Sequence, residues 1–317
     1  MPLSKLQFKP GINREGTNYS NEGGWFNGDK IRFRAGYAER IGGWTRVSNT
    51  QVTGTPRKIF DFVTLTSQNL LFIGTEQKVF LENAGTFSDI TPIRSTVSLG
   101  ANPVDTTVGG AGSGVVTITT QAAHGAITGD FVTLAGLTAT DGITTAQLNK
   151  EQTILSVPST TTFTINTGGS ASAGSTAGGG SSGTAAFQIN ISLNTAVLGA
   201  GWGAGTWGRF TWGSAAGSLS GQTLRLFFAD NFGEDLLFNI ADGSIFYWDA
   251  TNGTSTRAVA LTSLTGASDV PTVARKILVS DVDRHVIVFG TNPIGSATLD
   301  PLLIRFGSQE SLPDFTP

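Results

Sequence analysis

Short apolar strands separated by tight turns recur along this chain, and that recurrence restricts its fold more than any other feature. One unit is Leu70-Leu71-Phe72-Ile73-Gly74-Thr75 followed by Lys78-Val79-Phe80-Leu81. Another is Leu236-Leu237-Phe238-Asn239-Ile240, then Asp242-Gly243, then Ile245-Phe246-Tyr247-Trp248. Each reads as an antiparallel hairpin, and Asp-Gly is a two-residue hairpin signal. Units of this kind at intervals predict an all-β fold with a β-propeller-like body or a related array of small sheets.

Composition supports this reading. Of 317 residues 42 are Gly, and only 14% are charged. That balance favours many turns and short strands over amphipathic helices. Cysteine is absent, which excludes disulfides, thiolate zinc sites and a cysteine nucleophile. No apolar run approaches the roughly 20 residues of a membrane-spanning helix. The opening Met1-Pro2-Leu3-Ser4-Lys5 lacks the apolar core of a signal peptide. Charge is uneven. Residues 1–58 carry ten Lys and Arg against four Asp and Glu, or +6, leaving −9 for the rest of a chain whose net charge is −3. A basic arm on an acidic body suits docking to an acidic partner or to another copy.

Three regions follow. Residues 1–99 hold the arm and a first blade. In the arm, Gly23-Gly24-Trp25 and Gly42-Gly43-Trp44 bracket Lys30-Ile31-Arg32-Phe33-Arg34. This run alternates basic and apolar residues like a strand with one wet face. Residues 57–63, 70–74 and 78–81 are the expected blade strands. Residues 100–188 read as an inserted small β-barrel, with strands at 115–119, 130–134, 153–157 and 162–165. The Gly/Ser-rich run 168–183 is expected to be a loosely packed loop, because it has little apolar surface to offset ordering entropy. Residues 189–317 supply further blades, with strands at 223–228, 235–238 and 244–249, then 274–279, 285–290 and 301–306. Three blades fall short of the four that a closed propeller needs. The body is therefore expected to be incomplete in this chain, through a longer product or through blades completed jointly.

Candidate subunit-interface residues are Lys30, Arg32 and Arg34 with Trp25 and Trp44, and Trp202, Trp207 and Trp212 in the Gly/Trp run 199–213. Rings on so permissive a backbone suit packing against a neighbour or stacking on a sugar. No catalytic, cofactor or metal residues are expected. Asp281, Asp283 and His285 would align on a strand, but they join two apolar strands and read as a turn. Glu234 and Asp235 point to opposite faces of a strand, which does not suit a glycosidase carboxylate pair. No phosphate-binding GxxxxGK[ST] loop is present.

The arm, from Phe8-Lys9-Pro10-Gly11-Ile12-Asn13-Arg14 through Trp25-Phe26 to Ile41-Gly42-Gly43-Trp44, resembles the start of phage tail structural proteins. Asn231-Phe232-Gly233-Glu234-Asp235 and Asp281-Val282-Asp283-Arg284-His285 are similar to later parts of the same proteins. Within the insert, Ala123-His124-Gly125 through Val132 and residues 161–165 resemble a small barrel module of phage tail proteins, related to a half-domain of ubiquitin-activating enzymes. The resemblance implies a virion protein assembled in the host cytoplasm. It would be a ring-forming subunit, six copies to a ring, of the tail hub or nozzle of a short-tailed phage. Its partners would be other tail proteins (adaptor, fibres or spike) and DNA passing through the channel without sequence-specific binding. Family members commonly continue well beyond residue 317. The competing reading is a glycan-binding or glycan-cleaving β-propeller in which Trp202, Trp207 and Trp212 stack on sugars.

Overall fold

The computed structural model describes residues 8–17, 19–43, 45–46, 48–174, 177–194 and 224–316. The chain divides into two compact units, residues 1–49 and residues 50–317.

In the first unit, strand β1 (Ile31–Arg34) pairs antiparallel with β2 (Tyr37–Arg40). The connecting Ala35 and Gly36 both have positive φ (50° and 86°). A two-residue turn of this hand matches the twist of its strands. Along β1, Ile31 and Phe33 are half-buried while Arg32 and Arg34 are exposed, so the expected wet face is present.

The second unit opens with a four-stranded antiparallel meander: β3 (Pro56–Val63), β4 (Asn69–Thr75), β5 (Val79–Asn83) and β6 (Thr86–Asp89). The first three are the strands expected for the first blade, and β6 adds a fourth. The chain then enters a seven-stranded sheet made of β7 (Ile93–Ser98), β8 (Val104–Asp105), β9 (Val115–Thr119), β10 (Phe131–Ala135), β11 (Glu151–Ser159), β12 (Thr162–Asn166) and β13 (Thr184–Gln188). Their order is β7-β13-β10-β11-β12-β9-β8. The entry and exit strands, β7 and β13, pair with each other. Along β9 and β10 the buried positions, Val116, Ile118, Val132 and Leu134, alternate with less buried ones, so one face is apolar. The inward residues of successive strands, Val116, Ile118, Val132, Leu134, Ile154, Phe163, Ile165 and Phe187, share one core. A sheet whose strands all point one face at a single core must curl around it.

The curl does not become the closed barrel expected from sequence. β8 is only two residues long, and its free side bridges to Gly178 instead of to β7. The described part of the Gly/Ser run is therefore packed in place. Thr138 N–H donates to the Gly179 carbonyl, and Ala171 exchanges bonds with Gly112 and Ser113. The Asp141 carboxylate accepts from the N–H groups of Ala173 and Gly174. Backbone hydrogen bonds substitute here for the apolar burial this composition lacks. A Cβ at Gly178 would lie 1.9 Å from Thr140 Oγ1, so the close approach requires glycine. A short helix, α1 (Thr145–Leu148), was not anticipated. Its Thr144-x-x-Gln147 capping box was visible in the sequence.

His124 sits in this core. Its ring stacks on Phe187 and meets Phe163 edge-on, and its Nδ1 accepts from the Ala126 N–H at 3.0 Å. Burial pushes the imidazole below its ordinary 6.5; Arg94 acts in the same direction, against the Thr162 carbonyl at Nε2. The unfolded chain therefore binds the proton more readily, and stability falls as pH drops below about 6.5. In urea titrations at pH 7.5 and 5.5 the wild type loses stability on acidification, and His124→Asn, which keeps an acceptor for Ala126, loses less. Equal losses would remove His124 as a source.

Two more sheets complete the unit. β14 (Phe227–Phe232), β15 (Asp235–Ile240), β16 (Ile245–Trp248) and β17 (Val259–Ala260) form a meander, and so do β18 (Ala274–Val279), β19 (Val286–Thr291) and β20 (Asp300–Phe306). β14 begins four residues later than expected. The two-residue Gly233-Glu234 turn pairs Phe232 with Asp235, and this register carries the strand to Phe232.

The three small sheets stack face to face. Phe62, Leu70, Phe72 and Leu81 of the first sheet share a core with Phe227, Leu236, Phe238 and Trp248 of the second. Leu237, Ile245 and Leu261, on or beside the second sheet, pack with Ile277, Val279, Val286 and Val288 of the third. The middle sheet is buried on both faces, which explains the unbroken apolar run Leu236-Leu237-Phe238. This stack of successive meanders is the propeller-like, all-β body that the repeats predicted.

Candidate interaction surfaces

The ends of the stack leave apolar surface in the open. Inward Ile277 and Val288 belong to the core, so alternation turns Leu278, Ile287 and Phe289 to the other side of the third sheet. Ile287 pairs with Phe306 and Phe289 with Ile304, which extends the row onto β20. Leu302 is 89% exposed, Phe306 67% and Ile304 56%. A sheet meant to face water would carry polar residues at these positions. At the opposite end of the stack, Ile59 and Val63 of β3 are also exposed, beside Asp61.

Among the arm residues, Arg32 Nε lies 2.5 Å from Glu39 Oε1 across the hairpin, and both side chains are solvated. Arg34 and Lys30 are exposed. Trp25 is half-buried within the arm, its ring centroid 5.8 Å from Phe8 and 6.1 Å from Phe33. It forms the centre of a small aromatic cluster, so its first role is to hold the hairpin to the preceding loop. Trp44, Trp202, Trp207 and Trp212 lie outside the described residues.

The chemistry set aside on sequence grounds has structural roles. Ser280 N–H donates to the His285 carbonyl and Arg284 N–H to Ser280, closing the β18–β19 turn; His285 Nδ1 is 2.8 Å from the Gly307 carbonyl. Glu234 Oε2 accepts from the Leu65 N–H. Asp235 accepts from the Tyr247 hydroxyl at 2.7 Å and the Ala250 N–H at 2.9 Å. Burial and this carboxylate drive the Tyr247 phenol well above its ordinary value. Among the described residues there is no cluster of three or more His, Cys, Asp or Glu that could hold a metal, and no helix long and apolar enough to cross a membrane.

One charged cluster was not foreseen. Lys78, whose side chain is 7% exposed, bonds Asp89 at 2.8 Å and Glu151. Arg257 reaches Asp89 at 3.4 Å and Glu151 at 3.3 Å. The Gln188 amide donates to Glu151 at 2.6 Å. The cluster joins the first sheet, the seven-stranded sheet and the loop before β17. Its members are far apart in sequence and have no local signature.

No protein-family model matches the chain, and no curated protein matches it. Among solved structures it is similar to "Phage phi92 endosialidase", at 15% identity and a TM-score of 0.25, over 80% of this chain and 38% of that one. The chain thus spans well under half of that protein's length. A likeness at this TM-score carries no argument about fold, activity or assembly.

Proposed function

We propose that this chain is a structural phage tail protein, a ring-forming subunit of the tail hub or nozzle that surrounds the DNA exit channel. The observation that carries the reading is the open apolar row Leu278, Ile287, Phe289, Leu302, Ile304 and Phe306 on the last sheet of the stack. Inside the chain, such faces are covered by the next sheet. A second copy, seating its first sheet with Ile59 and Val63 on this row, continues the same packing head to tail. Such a heterologous contact closes into a ring when its rotation closes. The motifs shared with phage tail proteins agree with this assembly and imply six copies. Residues 100–188 are then an insertion between blades. The acidic balance after residue 58 suits a channel, since a wall that neutralised phosphates would retain the passing duplex.

Light scattering and electron microscopy of the purified chain, alone and with the other tail proteins of its source, test this reading. The expected result is a ring in at least one sample. Leu302→Glu with Phe306→Asp is expected to convert the ring to monomer while preserving the circular dichroism of the fold, because it places two charges in the contact. A monomer in both wild-type samples overturns the proposal and turns attention to sugar binding by the Gly/Trp run.

A further inference from the structure

Between the β7/β13 edge of the seven-stranded sheet and the end of the second small sheet lies a cavity of about 320 Å³. Arg94, Asn190, Arg225 and Ser244 line it together with Ile93, Ile189, Ile240, Phe246 and Ala260. Arg225 stands out. It is only 5% exposed, and its buried Nη1 has no hydrogen-bond partner. A buried guanidinium keeps its charge at neutral pH, so an unpaired one is strongly unfavourable unless something else completes it. No group among the described residues supplies it. Asp130 and Glu76 attract Arg225 from a distance, but neither makes a hydrogen bond to it, and both Asp130 oxygens and Glu76 Oε2 bond other groups. Asp130 accepts from the N–H groups of Ile127 and Ile191 and from the Asn190 amide. Glu76 accepts from the Thr55 N–H. Arg94 is anchored by bonds from Nε to the Gln188 carbonyl and from Nη1 to the His124 carbonyl, which hold its guanidinium at the cavity wall. Burial lowers the affinity of Arg225 for its proton only to about 10, so it remains a cation at pH 7.

We propose that this cavity is a binding site for a small carboxylate with an apolar body, its carboxylate bonded by Arg225 and oriented by Arg94. The volume falls at the lower end of the range for small-molecule pockets, and an apolar lining with a few convergent polar groups is their usual construction. The guanidinium fork matches a carboxylate in two-point geometry. The isoleucines and Phe246 favour an organic acid over a strongly hydrated inorganic anion. The inference is independent of ring formation.

Isothermal titration of the purified chain with sodium benzoate, acetate and sulfate at constant ionic strength tests it. Benzoate is expected to bind more tightly than acetate, and acetate more tightly than sulfate. Arg225→Met is expected to weaken benzoate binding by about tenfold or more through loss of a charge-assisted hydrogen bond. Ser244→Asp, which sets a fixed carboxylate on the lining, is expected to weaken it similarly and serves if Arg225→Met fails to fold. Three results would overturn the proposal: no benzoate binding at tens of millimolar, variants that fold and bind within twofold of wild type, or sulfate binding above benzoate.

Discussion

Lys78→Met is expected to destabilise the main unit by about 3–5 kcal/mol, the range for removing one member of a buried ion pair. Lys78 sits between Asp89 and Glu151 with its ammonium also 4.5 Å from the Phe131 ring centroid. Its loss leaves Asp89 and Glu151 sharing the charge of Arg257, with only neutral donors (Thr91 and Gln188) besides. By contrast, Arg275→Ala removes a solvated bridge to Asp242 and is expected to change stability by less than about 1 kcal/mol. Urea denaturation of both variants makes the comparison; similar midpoints would show that the cluster is no more than a surface network. Acid adds a second signature. Burial alone would raise the Asp89 carboxyl, but the bonds from Lys78 and Thr91, with the charges of Lys78 and Arg257, outweigh it and hold Asp89 below its ordinary 3.8. A depressed carboxylate contributes stability above the unfolded value and loses it as pH falls from there through the folded value. The wild type should therefore lose this contribution below about pH 4, and Lys78→Met should lose less because less remains.

Gly74→Val is expected to cost about 3 kcal/mol, at the upper end of overpacking penalties. A Cβ at Gly74 would stand 2.5 Å from Phe227 Cδ2, where the first and second small sheets meet. Phe227 has nowhere to retreat. It is 3% exposed, and its ring lies 5.9 Å from Phe72 in an edge-on contact. Gly74→Ala should cost less, and Phe227→Ala should rescue part of the Gly74→Val loss by vacating the space. A Gly74→Val protein with wild-type stability would mean that the two sheets do not approach this closely.

Much of the fold was legible because strand signals are local. Alternation in Val115-Val116-Thr117-Ile118-Thr119 and the apolar run at 285–290 place β9 to the residue and β19 to within one residue at each end. Turn chemistry was partly readable: the β15–β16 turn falls where Asp242-Gly243 signals it, but its centre is Ala241-Asp242, with Asp242 at φ 58° and the Gly243 N–H donating to the Ile240 carbonyl. The exposed Arg32 and Arg34 followed from period-two alternation alone. The candidate surfaces were only partly legible. The basic stripe of the arm could be read directly, whereas the apolar row on the third sheet could not. Ile304 and Phe306 look like core residues in sequence, and only their place on the outer face of the last sheet exposes them.

What the sequence determined by itself was therefore the alphabet of the structure: short strands, tight turns, no thiol chemistry and a basic arm. These depend on neighbours a few residues apart. What only the tertiary structure decided was which faces meet. It left the seven-stranded sheet open because β8 is too short to continue the ladder. It stacked Leu236 and Leu237 into different cores. It assembled Lys78, Asp89, Glu151 and Arg257 from three parts of the chain, and it buried Arg225 with its Nη1 unbonded. Each of these outcomes depends on contacts between residues tens to hundreds of positions apart, and local propensity holds no information about such pairings.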